Sequence, residues 1–114
     1  MEAKKFDFIR VVTHSTVFHA DDVFGTALCD LICPGINIIR TVDPDAIAHW
    51  QDDPDTLVFD IGLGRYDHHQ EGKALRTDGT PYCGFGLLWR DFGHILCTDE
   101  SAWAKVDETL VYPD

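Results

Sequence analysis

Short apolar strands rich in β-branched residues alternate with amphipathic helical stretches along most of this chain. Phe8–Thr13, Ile36–Val42 and Leu57–Ile61 have the composition of strands. Apolar residues recur at helical spacing after Asp21 and again within Gly84–Leu96. Strands that alternate with helices predict βαβ units and a largely parallel sheet with helices packed against it. The expected fold class is therefore α/β.

Turn and cap residues divide these elements. Pro34 ends the first helix, while Asp43 and Pro44 are the cap and first residue of a short second helix. Leu57–Ile61 is apolar on both faces, which favours a place in the middle of the sheet. A last helix is expected to begin at Ser101.

The acidic balance of the chain limits which ligands it can bind. Twenty Asp and Glu residues stand against nine Lys and Arg, so the formal net charge is −11 over 114 residues. Such a field repels nucleic-acid backbones and argues against coating of nucleic acid without sequence preference. A phosphate could still bind at a local site, because bound divalent cations reverse the local sign of the charge.

The cysteines and the apolar runs bear on the compartment. The sequence has four cysteines, none of them in a C-x-x-C pair, and Cys29 and Cys33 are spaced as small core residues of one helix. No apolar run approaches the length that spans a membrane. A reduced, cytoplasmic protein without membrane attachment is therefore expected.

Histidines and aspartates follow the predicted strand ends, where α/β proteins bind their ligands. The candidates are His14, His19, Asp21, Asp22, Asp60, Asp67, His68 and His69. Mixed histidine and carboxylate donors suit Mn²⁺, Zn²⁺, Fe²⁺ or Co²⁺, and carboxylates can bridge two ions. Taken singly, Asp21 or Asp22 could be a helix-terminal charge and His14 a surface residue. Together they predict a metal site, since carboxylates clustered this closely repel one another without cations.

Three segments carry a resemblance to a known family. THSTVFHADD, FDIGLGRYDHHQ and DGTPYCGFGLLWRDFG occur in the same order as in the melanocyte-proliferating-gene family of metal-dependent exonucleases, a branch related to the DHH phosphoesterase superfamily. The resemblance covers about Val11 to Gly93. It implies a parallel-sheet, DHH-phosphoesterase-like N-terminal domain with two divalent cations. Mn²⁺ is the first expectation for these cations, with Mg²⁺, Zn²⁺ or Co²⁺ as alternatives.

The resemblance implies a role for each matching residue. His14 and His19 would hold one cation. Asp21 and His68 would hold the second cation. Asp60 would bridge the two cations and take part in catalysis.

Residues around these ligands are assigned to the substrate and to ligand orientation. By the same resemblance, His69 would face the substrate phosphate as a catalytic group. Asp22 and Asp67 would orient ligating side chains. Basic side chains flank the Asp-His-His triplet and could bind phosphates. They are Arg65, Lys73 and Arg76.

The chain departs from the family in two respects. Val17 stands where the family has a small or polar residue. Family members are longer and carry a further aspartate motif and a second, substrate-gripping domain. Residues 1–114 are thus expected to form a single metal-binding domain, either shortened or naturally minimal, in which Asp107 or Asp114 could stand in for the further aspartate.

Two classes of function remain open from the sequence. The first is a metal-dependent phosphoesterase that hydrolyses RNA, oligonucleotides or small phosphate esters. The alternative is a non-catalytic metal-binding or interaction domain that lacks the substrate-binding half. Because loss of a second domain would expose apolar surface, a homodimer is a further expectation.

Overall fold

Strands and helices alternate along the described part of the chain. The structure is a computed structural model that describes residues 4–62, 64, 66–67, 75–76 and 79–109. Its elements, in chain order, are β1 (Arg10–Thr13), α1 (Ala20–Ile32), β2 (Asn37–Arg40), α2 (Pro44–Gln51), β3 (Thr56–Val58), α3 (Gly84–Leu96) and α4 (Glu100–Thr109). The predicted alternation is confirmed.

The three strands form a parallel sheet in the order β2-β1-β3. Thr13 at the end of β1 is in register with Arg40 at the end of β2. The predicted α/β class with a mostly parallel sheet is confirmed. Within the described residues, β1 rather than the third strand has a strand on both sides. On the far side of β3, a parallel bridge between Phe59 and Tyr66 extends the pairing.

The caps and limits of the helices follow from local sequence. The Asp43 side chain accepts a hydrogen bond from the Asp45 N–H at 3.2 Å, and Pro44 is the first residue of α2, as predicted. Helix α3 has the predicted limits of Gly84–Leu96. None of the described helices is long and apolar enough to cross a membrane.

The sheet is covered on both faces, and α1 approaches it closely. Val11 and Val12 point to opposite faces of β1 and both are fully buried. Phe59 is also fully buried, and a Cβ built on Gly25 of α1 would lie 2.3 Å from its ring. A side chain at position 25 would therefore push α1 off the sheet.

Helices α3 and α4 are joined by two tryptophans. The Trp89 indole N–H donates to the Trp103 carbonyl at 3.0 Å, and the Trp103 indole donates to the Trp89 carbonyl at 3.3 Å. A Cβ built on Gly93 would lie 2.6 Å from Trp89 and 2.8 Å from Trp103. The absence of a side chain at position 93 lets the two rings approach each other.

Candidate metal centre

Three segments meet at the carboxyl-terminal edge of the sheet. His14 directly follows β1, Asp60 follows β3, and His19 is the N-cap residue of α1. Parallel strands end at the same edge, which brings residues far apart in the chain together. His14 and Asp60 lie 46 positions apart in the chain, yet their side chains are in contact.

The His14 imidazole lies between two buried carboxylates. Its Nε2 is 3.1 Å from Asp60 Oδ2 and 3.2 Å from Asp22 Oδ2. Ligand atoms of His14, His19 and Asp22 all lie within 4.8 Å of one another. The donor set is mixed nitrogen and oxygen, which fits a divalent first-row transition metal better than Ca²⁺. The residues present therefore fit the metal that the sequence predicts.

Asp22 is held from two sides. Its side chain is fully buried, and the Arg40 Nη1 donates to Oδ1 at 2.9 Å. The His19 backbone N–H donates to Oδ2 at 2.7 Å, which is one half of a capping box at the start of α1. The hydrogen bonds hold the Asp22 carboxylate in the orientation that brings Oδ2 close to His14.

Asp21 contacts the beginning of α3. It accepts hydrogen bonds from the Gly84 N–H at 2.9 Å and from the Phe85 N–H. The first N–H groups of a helix lack partners within the helix, and the helix dipole favours an anion beside them. A Cβ built on Gly84 would lie 3.2 Å from Asp21 Oδ2 and 3.3 Å from Asp60 Oδ1, so both carboxylates border this glycine. The metal role of Asp21 stays a prediction.

The backbone is strained beside the cluster. Among the described residues other than glycine, only Thr16 and Asp60 have a positive φ, 77° and 60°. Both residues line an open cleft of about 310 Å³ that His14 and His19 also line. Left-handed residues other than glycine are costly and collect at functional sites. Their position favours this cleft as the place where a ligand binds.

The segment that leads into the predicted triplet runs beside Asp60. The Asp60 N–H donates to the Tyr66 carbonyl at 2.9 Å, and Asp67 is 3 % exposed. The Tyr66 hydroxyl donates to Asp91 Oδ2 at 2.7 Å, which ties this segment to α3. The remaining predicted residues of this segment, Arg65, His68, His69 and Lys73, lie outside the described residues.

Substitution of Asp91 tests the contact between Tyr66 and α3. Burial pushes the pKa of its carboxyl up, but hydrogen bonds from Tyr66 and Arg90 and the charges of Arg90 and Lys4 outweigh burial, so the pKa lies below its ordinary value. A lowered pKa stabilises the fold above the unfolded pKa of about 4, and this stabilisation is lost as pH falls through the folded pKa. We expect Asp91→Asn to lower the free energy of unfolding by about 1–3 kcal/mol at pH 7.

Urea unfolding between pH 7 and pH 2 measures this contribution. The difference between the wild type and Asp91→Asn should shrink below about pH 4, because the wild-type carboxyl then gains a proton. Asp7→Asn is the control, since Asp7 has a side chain 68 % exposed in a surface pair with Lys5. If the difference in stability between the wild type and Asp91→Asn stayed constant across this pH range, the lowered pKa of Asp91 would be contradicted.

The predicted phosphate ligand Arg76 is paired with a carboxylate of α4. Its Nη1 lies 2.6 Å from Asp107 Oδ2, and the two side chains are 9 % and 18 % exposed. The Arg76 guanidinium also lies 4.4 Å from the centre of the Tyr82 ring. These contacts join the loop before α3 to α4. The proposed metal role of Asp107 and the phosphate role of Arg76 stay predictions, and Asp114 lies outside the described residues.

Arg40 is the neighbour of the cluster that sequence reasoning missed. It ends β2, one strand away from His14, and reaches both Asp22 and the His14 carbonyl. The sequence carries a signal for it, because Arg40 lies near the end of the predicted strand Ile36–Val42, where α/β proteins bind their ligands. Arginine is not a metal ligand, so donor types alone do not single it out.

Comparisons with known proteins point to one family. The family described as MYG1_exonuc, "Uncharacterised protein family (UPF0160)", matches residues 10–112. The chain is 32 % identical to the MYG1 exonuclease of Homo sapiens over 103 residues, which cover 76 % of this chain and 26 % of the human protein. It is 30 % identical to the MYG1 exonuclease of Rattus norvegicus over 117 residues, which cover 89 % of this chain and 29 % of the rat protein. No solved structure matches the chain.

Proposed function

Because this chain belongs to the MYG1_exonuc family, we propose that it is a metal-dependent phosphoesterase acting on RNA, oligonucleotides or small phosphate esters. The matched relatives bear the name MYG1 exonuclease, and the chain spans 26 % of the human protein and 29 % of the rat protein. The observation that carries the proposal is the convergence of His14, Asp22 and Asp60, with 3.1 Å and 3.2 Å between the histidine and the two carboxylates.

The proposed centre holds two divalent cations, with Mn²⁺ as the first expectation. His14 and His19 would hold one cation, Asp21 and His68 the other, and Asp60 both. Bound cations would activate a water molecule and offset the charge of a phosphate. The fold would correspond to the N-terminal domain of DHH phosphoesterases.

The side chains around the proposed cations would hold the histidine ligands and contact the substrate. Asp60 Oδ2 lies 3.1 Å from His14 Nε2, so the two side chains are close enough to hold one cation together. Asp67 would orient His68 through a hydrogen bond, as carboxylates do for ligating histidines. His69 would donate a proton to a phosphate oxygen or to the leaving group.

Basic residues near the triplet would bind the substrate phosphates. Arg65 and Lys73 are proposed for this role together with Arg76. Asp107 accepts from Arg76 Nη1, and Arg76 Nε and Nη2 are buried, so Arg76 could bind a phosphate only if this pair rearranged. A small phosphate ester or a short strand needs fewer such contacts than a long RNA.

The proposal includes a reducing, cytoplasmic compartment and a homodimer. All four cysteines have free thiols. Burial raises the pKa of Cys29 and of Cys83 to about 12, with the Asp21 charge adding to the rise at Cys83, so both remain protonated at neutral pH. Protonated, buried thiols are inert toward disulfide exchange.

Metal content and hydrolysis measured on one sample test the proposed function. The protein is stripped with a chelator, loaded with Mn²⁺, and analysed by mass spectrometry for metal per chain. It is then assayed on a short RNA, a generic phosphodiester and pyrophosphate. We expect two Mn²⁺ per chain and hydrolysis that a chelator stops.

A matched pair of histidine variants gives the control. His14→Ala should lose both metal and hydrolysis, whereas His49→Ala should keep both. His49 lies on α2 outside the cluster, and its ring centre is 4.8 Å from that of Trp50. Fewer than one Mn²⁺ per wild-type chain would refute the metal centre. Bound Mn²⁺ without turnover on any substrate would favour the non-catalytic metal-binding domain.

A further inference from the structure

Arg40 contacts three consecutive parts of the chain beside the candidate centre. Its Nη1 donates to Asp22 Oδ1 at 2.9 Å and to the His14 carbonyl at 3.1 Å. Its guanidinium lies 4.2 Å from the centre of the Phe18 ring, in the loop that carries His19. One side chain at the end of β2 therefore contacts the end of β1, the following loop and the first turn of α1.

The guanidinium affects metal binding in two opposite ways. Arginine is permanently charged, and a cation beside a cation site opposes metal binding through Coulomb repulsion. Arg40 also offsets the charge of the buried Asp22 carboxylate, whose other oxygen lies 3.2 Å from His14 Nε2. A favourable role of Arg40 in metal binding must therefore come from its hydrogen bonds.

The hydrogen bonds of Asp22 indicate that role. Arg40 binds Oδ1, and the His19 N–H binds Oδ2 at 2.7 Å, so the carboxylate plane is fixed. Through the His14 carbonyl, the same guanidinium also restrains the backbone that places the imidazole. Rotation of either group would move the His14 ring, a proposed cation ligand, or the Asp22 carboxylate that lies 3.2 Å from it.

We propose that Arg40 is a positioning residue of the metal centre, holding Asp22 and the His14 backbone in the geometry that binds the cation. The proposal rests on the proposed function, since it requires that a cation binds at this edge. Restraint of the ligands outweighs the repulsion between the guanidinium and the cation. Loss of Arg40 therefore weakens metal binding, whereas loss of a merely repelling charge would strengthen it.

Arg10 is a matched control on the same sheet. Its Nη1 lies 3.1 Å from Asp53 Oδ2, and its guanidinium lies 4.5 Å from the centre of the Trp50 ring. The Arg10 and Arg40 side chains are each 22 % exposed. Arg10 begins β1, at the opposite end of the sheet from the cluster. Substitution of either arginine should lower stability, whereas only substitution of Arg40 should change metal binding.

Co²⁺ titration of the whole chain tests the proposal. Wild type, Arg40→Met, Arg40→Lys and Arg10→Met are titrated by calorimetry and by visible absorption, which reports the coordination geometry. We expect Arg40→Met to bind Co²⁺ about 10- to 100-fold more weakly with a changed absorption band. Arg40→Lys should recover part of the affinity through its ammonium group, and Arg10→Met should match the wild type.

The outcomes distinguish a failure of the positioning role of Arg40 from a failure of the proposed function. Unchanged or tighter binding by Arg40→Met would overturn the positioning role and leave the proposed function standing. Equal weakening in Arg10→Met would mean a general structural effect and would also overturn it. A wild type that binds no Co²⁺ would overturn the proposed function and this role together. If circular dichroism shows that Arg40→Met is unfolded, Arg40→Lys decides alone, and wild-type affinity in that variant overturns the role.

Discussion

Asp60→Asn is expected to abolish metal-dependent hydrolysis, with a loss of about 1,000-fold or more in kcat/KM. The substitution keeps the size of the side chain but removes the charge that would bridge two cations. Asparagine also tolerates the left-handed backbone that Asp60 adopts, with a φ of 60°. The backbone at the end of β3 should therefore be kept while its ligand is lost. Hydrolysis of a generic phosphodiester with Mn²⁺, measured together with metal content, checks this result.

Asp52→Asn is the matched control for Asp60→Asn. Asp52 is the exposed C-cap residue of α2, so its loss should change neither metal content nor rate. If Asp60→Asn retained wild-type hydrolysis, the assigned bridge would be wrong. Retained metal with lost hydrolysis would limit Asp60 to the reaction and exclude it as an essential ligand.

Phe59→Ala should give the largest loss of stability, about 3–5 kcal/mol in the free energy of unfolding. Phe59 is fully buried, and its ring fills the space beside Gly25 in which a Cβ would lie only 2.3 Å away. Truncation leaves a cavity between the sheet and α1, because a helix held elsewhere cannot close the gap fully. Urea unfolding followed by circular dichroism measures the loss.

Phe24→Ala provides the comparison for Phe59→Ala. Phe24 lies on the same helix as Gly25, but it is 43 % exposed, so its truncation should cost only about 1 kcal/mol. Similar losses for the two variants would contradict the packing of α1 on Phe59. A shallower denaturant slope in Phe59→Ala would indicate either a changed compactness of the native or denatured state or unfolding that is no longer two-state.

Local patterns predicted the elements of this fold well. The limits of α3 and the Asp43 cap of α2 follow from nearby residues alone, through apolar spacing and side-chain hydrogen bonds. The meeting of His14 and Asp60 also followed from the sequence, since parallel strands end at one edge. The limits of α3 and the cap of α2 need no knowledge of how distant segments pack, whereas the meeting of His14 and Asp60 also needs β1 to lie beside β3.

Long-range packing accounts for what the sequence could not predict. Nothing near Asp21 in the chain indicates that its carboxylate contacts the first N–H groups of α3, 63 positions away from Gly84. The contact of Arg40 with Asp22 likewise depends on the strand order, which places β1 between β2 and β3. Residue type and spacing restrict the possible ligands, whereas strand order and helix placement decide which side chains meet.

The contact between Asp21 and Gly84 has a consequence for the order of folding. Closing a loop of this length costs entropy before any native contact compensates, so contacts between distant residues form slowly. During synthesis, β1, α1 and β3 all emerge before the residues of α3 whose N–H groups donate to the Asp21 carboxylate. We therefore expect the edge of the sheet that gathers His14, Asp22 and Asp60 to gain its contacts with α3 late, when α3 has docked.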